Sequence, residues 1–278
     1  MQWAQIEART FWLVMAASFL VVAVWESLRP HRELSIPGER RWSRHGFLLI
    51  VSSVASVGIY RAGPVVMAAG LAHSRFGLFH QIGLPYAAQF ILTILLLDFV
   101  RYAAHWAEHH VPVLWRMHQV HHSDPDFDLS TGARVHPLEM VLVQGVTLSA
   151  VALLAPPVAA VLVVELVTGF QVFFAHANVS MPVGLEKFLR RVLVTPQMHR
   201  VHHSEDAGEQ ARNLSDIFPW WDHLFRTYLP APAGGDAGLV GMKGFQNTGS
   251  LDLWFMLSQP FRRERGEFVE QAVVSREV

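Results

Sequence analysis

Long apolar runs joined by short polar connections constrain this chain more than any other feature. They cover residues 11–25, 46–71, about 85–102, 138–154 and 158–174. Hydrocarbon offers no partner to a backbone N–H or C=O, so such runs become helices that satisfy their own hydrogen bonds. Composition agrees: 51% of the 278 residues are hydrophobic and only 16% are charged, where soluble domains carry roughly 25%. The expected fold is all-α, an integral membrane protein with about four to five membrane-embedded helices. The first run ends Trp25-Glu26-Ser27-Leu28, without a small-residue cleavage pattern, and reads as a spanning helix. The second is expected to bend at Gly63-Pro64, where proline removes a helix hydrogen bond. The last two, broken by Ala155-Pro156-Pro157, are about 17 residues each, short for a core of ~30 Å; they cross as a hairpin or only dip in.

Arginines set the orientation. The connection at 28–45 holds Arg29, Arg32, Arg40, Arg41 and Arg44, whereas that at 72–85 holds only Arg75. The positive-inside rule places the first connection in the cytoplasm. The third helix then returns to that side, so the polar segments after it form a cytoplasmic helical cap. The chain reads as a single domain over 1–278, with its motifs within about 90–230 and a charged, flexible tail at 262–278. A net charge of -1 gives no pull toward nucleic acid. The absence of cysteine excludes thiolate haem, cysteine-bound iron–sulfur clusters, catalytic thiols and disulfides.

Sixteen histidines are the unusual count, and eight of them fall into three clusters. His105 and His109 stand at i and i+4; His118, His121 and His122 form one His-x-x-His-His box, and His199, His202 and His203 form another. On helices each cluster presents its imidazoles to one side. Eight convergent neutral nitrogen ligands exceed what one ion takes and suit a pair of ions with positions left open. Iron does redox chemistry and zinc does not, which favours iron. Isolated His31, His45, His73 and His80 read as structural, and His110, one residue past the i+4 position, points sideways. His176, at the end of the last apolar run, reads from the residues alone as either a ligand or a helix-end hydrogen-bonder. His136 either orients a ligand ring or starts a helix ahead of Pro137. Asp98 and Glu139 are acids in or beside spans, placed to accept a ligand's N–H or to serve a helix end.

Residues 114–128, Leu-Trp-Arg-Met-His-Gln-Val-His-His-Ser-Asp-Pro-Asp-Phe-Asp, and 134–139, Arg-Val-His-Pro-Leu-Glu, resemble the fatty acid hydroxylase superfamily, also called the sterol desaturase family. Its members are membrane di-iron enzymes that hydroxylate or desaturate lipids. The resemblance implies that the eight clustered histidines and His176 are metal ligands, with Asn178, Asn213 and Asp222 as further residues around the site. Residues 213–228 are similar to a family segment without gaps, but Arg226 stands where a glycine is usual, which puts the local turn in doubt. What it implies overall is a dioxygen-dependent, non-haem di-iron oxidoreductase acting on a sterol, fatty acyl chain, ether lipid or carotenoid. The chain has no Gly-x-Gly-x-x-Gly fingerprint and no His-Pro-Gly-Gly of a fused cytochrome domain. No flavin, NAD or haem is expected on it. Electrons would come from a separate ferredoxin, cytochrome or reductase; the basic face with Arg190, Arg191 and Arg200 either docks it or only holds headgroups and the positive-inside orientation. Two rival readings use the same histidines: a membrane zinc hydrolase, though His-Glu-x-x-His is absent, and a metal-binding or transport protein, though its ligands should lie at mid-membrane.

Overall fold

The computed structural model describes residues 2–262 except 236–237 and 247; the tail expected at 262–278 lies, apart from Arg262, outside the described residues. Those residues form an all-helical protein without a β-sheet, as the apolar runs require. Five helical stretches are long and apolar enough to cross a bilayer: Gln5–Leu28, Gly38–Leu71, Tyr86–His110, Pro137–Leu154 and Val158–Ala175.

The first stretch belongs to α1 (Gln2–Leu28). The second divides into α2 (Gly38–Tyr60) and α3 (Pro64–Leu71) at the Gly63-Pro64 position expected to bend. A short α4 (Leu78–Ile82) leads to α5 (Tyr86–His110), which overruns its apolar stretch by two turns and so carries the first histidine pair. Next come α6 (Pro112–His122), a 3-10 turn at Leu129–Ala133, then the hairpin of α7 (Pro137–Leu154) and α8 (Val158–Ala175). Prolines open α3, α6 and α7 at the first helical position, where the missing N–H costs nothing. Around the spans, α1 packs on α8, α2 on α7, and α5 on both α7 and α8. Leu20, Val54 and Ile91 point outward, more than half exposed, as lipid-facing side chains do. The cap consists of α9 (Val183–Leu189), α10 (Pro196–His202), α11 (Ala207–Gln210), α12 (Trp220–Phe225) and α13 (Leu253–Ser258).

A buried ion network fixes the loop between α6 and the 3-10 turn. Arg41, fully buried, grips Asp124 with Nη1 at 2.5 Å and Nη2 at 2.8 Å, and Asp128 with Nε at 2.9 Å. Arg134, also fully buried, donates to the Val120 carbonyl at 2.6 Å and the Ser123 hydroxyl at 2.9 Å. Burial on its own would raise the Asp124 carboxyl, but the Arg41 and Arg134 guanidinium groups outweigh it and hold the carboxyl well below the usual carboxylate range. Counting Arg41 as a plain positive-inside residue is thus corrected: it is a structural cation of the core, and four arginines of that connection remain for the orientation signal.

Candidate metal centre

Four segments bring nine imidazoles together where the spans meet the cap. They are the C-terminal end of α5, the C-terminal half of α6, the residue closing α8, and α10 with the residue after it. The nine divide into two groups whose ligand nitrogens all lie within 4.8 Å of one another. One holds His105, His109, His118, His122 and His202; the other holds His121, His176, His199 and His203. The division follows from helix geometry. Residues four apart are about 40° apart around a helix, whereas those three apart are about 60° apart in the opposite sense. In α6 the i,i+4 pair His118 and His122 joins the first group and His121 the second. In α10 the pair His199 and His203 joins the second group and His202 the first. Two boxes with identical spacing are thus used in opposite senses. The groups abut, with the His122 and His203 rings stacked at 4.6 Å between centroids.

The spacings suit shared ions. Four Nε2···Nε2 pairs approach closely: His105–His118 and His118–His122 at 3.2 Å, His121–His176 at 3.1 Å and His176–His199 at 2.9 Å. Two nitrogens each about 2.1 Å from one ion stand about 3.0 Å apart at a right angle and about 3.4 Å at a tetrahedral angle. The Nε2 atoms of His109, His202 and His203 are buried without a hydrogen-bond partner, a costly state for a nitrogen that no ion or solvent satisfies. Burial, reinforced by neighbouring imidazoles, pushes His118, His121, His122, His199, His202 and His203 well below their ordinary pKa, and burial pushes His176 down to about 4. All seven are therefore neutral at pH 7, as a metal ligand must be.

The remote nitrogens are oriented in part by the backbone. His105 Nδ1 meets the Leu214 carbonyl at 2.8 Å, His176 Nδ1 that of Val172 at 2.7 Å, and His202 Nδ1 that of Arg212 at 3.0 Å. His118 is different: its Nδ1–H donates to Glu139 at 2.8 Å, with Glu108 at 3.6 Å beyond it. Glu139 thus stands where an acid accepting a ligand's N–H was expected. Glu108 was not singled out, although its i,i+3 spacing from His105 puts it on that helix face. Phe127 was also missed. Its ring packs against His176 and His203, with centroids at 5.7 and 5.1 Å, and walls off the four-histidine group.

The other residues expected around the site act at one remove. Asp98 does not touch an imidazole; it accepts from the Ile217 and Phe218 amides and from Trp221 Nε1, so its burial serves the loop that supplies the Leu214 carbonyl. Asp222 accepts from the Leu214 and Ser215 amides and the Thr227 hydroxyl, reinforcing the same loop. Asn213 bridges Met198 and Leu229, and Asn178 ties Arg32 to the end of α8. His136 caps α7 by accepting from the Leu138 amide, which decides for the helix-start reading. His110 stacks on Trp106 away from both groups. The doubt over Arg226 resolves simply: it adopts the left-handed conformation itself, at φ 61°, and closes α12 as a glycine would. The expected basic docking face is corrected in part. Arg200 is buried with its guanidinium over Phe127, Arg190 is tied to Glu186 and Tyr228, and Arg191 is exposed.

Apolar helices that end in two abutting histidine groups define the histidine-box class of membrane proteins. Residues 90–227 match the family model described as fatty acid hydroxylase. The chain is 28% identical over 270 residues to the ornithine lipid hydroxylase of Rhizobium tropici, covering 91% of this chain and 76% of that protein. It is 32% identical over 136 residues to the alkylglycerol monooxygenase of Homo sapiens, covering 49% of this chain and 29% of that one. With the alkylglycerol monooxygenase of Danio rerio it shares 29% identity over 178 residues, 63% of this chain and 38% of the relative. It thus spans most of the first relative but well under half of the other two. No solved structure matches the chain. The chain belongs to the fatty acid hydroxylase superfamily, as the boxes and the segment at 114–139 led us to expect.

Proposed function

We propose that this chain is a dioxygen-dependent, non-haem di-iron hydroxylase of membrane lipids, working as one domain over residues 1–278. One observation carries the reading: nine buried or half-buried imidazoles divide into two abutting groups, each with nitrogens spaced for one ion. His105, His109, His118, His122 and His202 would hold one iron; His121, His176, His199 and His203 would hold the other. When bound, the pair supplies the dioxygen chemistry needed to oxidise an unactivated C–H bond, which no side-chain acid or base can do.

The chain's own residues do the rest. Phe127 shields the four-histidine group from water. Glu139 holds the proton on His118 Nδ1 and so keeps its Nε2 free for metal. The Leu214, Val172 and Arg212 carbonyls do the same for His105, His176 and His202. The five-histidine group is nearly full, which leaves the four-histidine group as the one with room for a further ligand. Hydroxylation by dioxygen also reduces one oxygen atom to water, so electrons must come from outside; a separate ferredoxin, cytochrome or reductase would deliver them. The arginine asymmetry supports histidines and C-terminus in the cytoplasm, in a plasma or bacterial-type inner membrane.

Hydroxylation is preferred to desaturation because the relatives are named a hydroxylase and monooxygenases. Ornithine lipids are the first substrate class to test, because that relative covers nearly the whole chain. The test compares lipid extracts from cells expressing the chain or its His121→Ala variant. A lipid heavier by one oxygen, present only with the parent chain, supports the proposal. A lipid lighter by two hydrogens would move the reading to desaturation, and full activity of the variant would reject the ligand assignment.

A further inference from the structure

The cap carries an apolar surface that the metal chemistry does not use. In α9 and the turn after it, Leu185, Phe188 and Val192 follow one another at i, i+3 and i+7, and each is at least 40% exposed. In α12, Trp220, Leu224 and Phe225 are 43 to 65% exposed. The two stretches are joined, because Trp220 Nε1 donates to the Arg191 carbonyl at 2.8 Å. Six large apolar side chains exposed on two adjoining stretches are a poor fit to water. Lys187, Arg191 and Arg226 stand exposed beside them, the mixture of aromatic and basic residues that suits a headgroup boundary.

Its height in the bilayer follows from α5. The Phe225 ring stacks on Phe99 and Tyr102 of that helix, at 5.8 and 5.4 Å between centroids. Phe99 and Tyr102 lie 13 and 16 residues beyond Tyr86, the first residue of α5. At 1.5 Å per residue they stand about 20 and 24 Å along the helix from that end, inside a hydrocarbon core of ~30 Å. Tilting the helix only lowers those heights. A helix held at that level cannot stand clear of the membrane.

We propose that α9 and α12 are bedded in the bilayer boundary on the histidine side, with their apolar face in acyl chains and their basic rim among anionic headgroups. His105, about 28 Å along α5 by the same reckoning, then lies level with the boundary rather than beneath it. The partner is the lipid surface itself, so the cap grips the membrane from the side as well as through the spans.

The absence of cysteine makes the test clean. Single variants Phe188→Cys, Leu224→Cys, Ile91→Cys and Lys243→Cys are spin-labelled and reconstituted into phosphatidylcholine–phosphatidylglycerol vesicles. Accessibility to dioxygen and to a water-soluble nickel chelate is then measured. Ile91, outward on α5, serves as the lipid reference, and exposed Lys243 as the aqueous reference. The proposal expects labels at 188 and 224 to favour dioxygen over nickel, as at 91, and the opposite at 243. Labels at 188 and 224 as open to nickel as that at 243 overturn it. Nickel access at 91 overturns both it and the spanning assignment of α5. The readout requires neither metal nor turnover, so it stands apart from the test of the proposed function.

Discussion

Beside bound metal ions Glu139 would be ionised, and replacing it by glutamine removes that charge while keeping an oxygen in place. The Glu139 carboxylate accepts from His118 Nδ1 at 2.8 Å, and both side chains are buried. A hydrogen bond to a charged group contributes about 1.5–3 kcal/mol, against about 1 kcal/mol for a neutral one. The loss is therefore about 1 kcal/mol of support for His118 as a ligand, or roughly a fivefold to tenfold weaker site. Glu108, at 3.6 Å, is close enough to take over part of the role, so the Glu108→Gln, Glu139→Gln double variant should lose more than either single variant, approaching a hundredfold. The assay is titration of metal-free protein with cobalt, followed by the ion's visible absorption. Of the two histidine groups, His118 belongs only to the five-histidine one. Only one of the two binding steps should weaken. Equal weakening of both, or no change in the double variant, would refute the link from carboxylate to imidazole to ion.

Other outcomes are equally specific. A Cβ at Gly132 would stand 2.2 Å from the Val172 carbonyl oxygen and 2.9 Å from His176 Nδ1. Gly132→Ala should therefore cost about 1–3 kcal/mol and weaken binding at the four-histidine group; unchanged metal stoichiometry and melting would contradict this close approach. Arg226→Gly relieves a left-handed residue at φ 61° and should stabilise by about 1 kcal/mol without altering metal content; a lower melting temperature would contradict it. Burial holds His176 at about pKa 4 in the folded chain, against about 6.5 unfolded. The unfolded chain protonates first, so metal-free protein should lose about 3 kcal/mol from this ring as pH falls from about 6.5 to about 4, and no more below that. A flat thermal stability across that range would mean the ring is not held neutral.

Much of the plan was legible in the sequence because two periodicities carried it. The apolar runs give the spans, and the i,i+3,i+4 spacing gives imidazoles on one side of a helix. The break at Gly63-Pro64 and the hairpin at Ala155-Pro156-Pro157 follow from proline alone. The partition of the histidines was not legible. Both boxes read His-x-x-His-His, and only the packing of α6 against α5 and α10 decides which ring faces which group. Acids misled for a similar reason. Asp98 and Glu139 both stand beside apolar stretches, but Asp98 faces the amides of the 217–218 loop and Glu139 faces His118. Arg41 looked like a topology signal until its partners Asp124 and Asp128, more than eighty residues away, came into contact.

The central claim is a pair of ions held by nine imidazoles, and metal analysis of protein purified without added metal tests it most directly. Two iron atoms per chain are expected, falling toward one when His109, of the five-histidine group, or His199, of the four-histidine group, becomes alanine. One ion per chain in the parent protein, or zinc in place of iron with no loss in either variant, would contradict it.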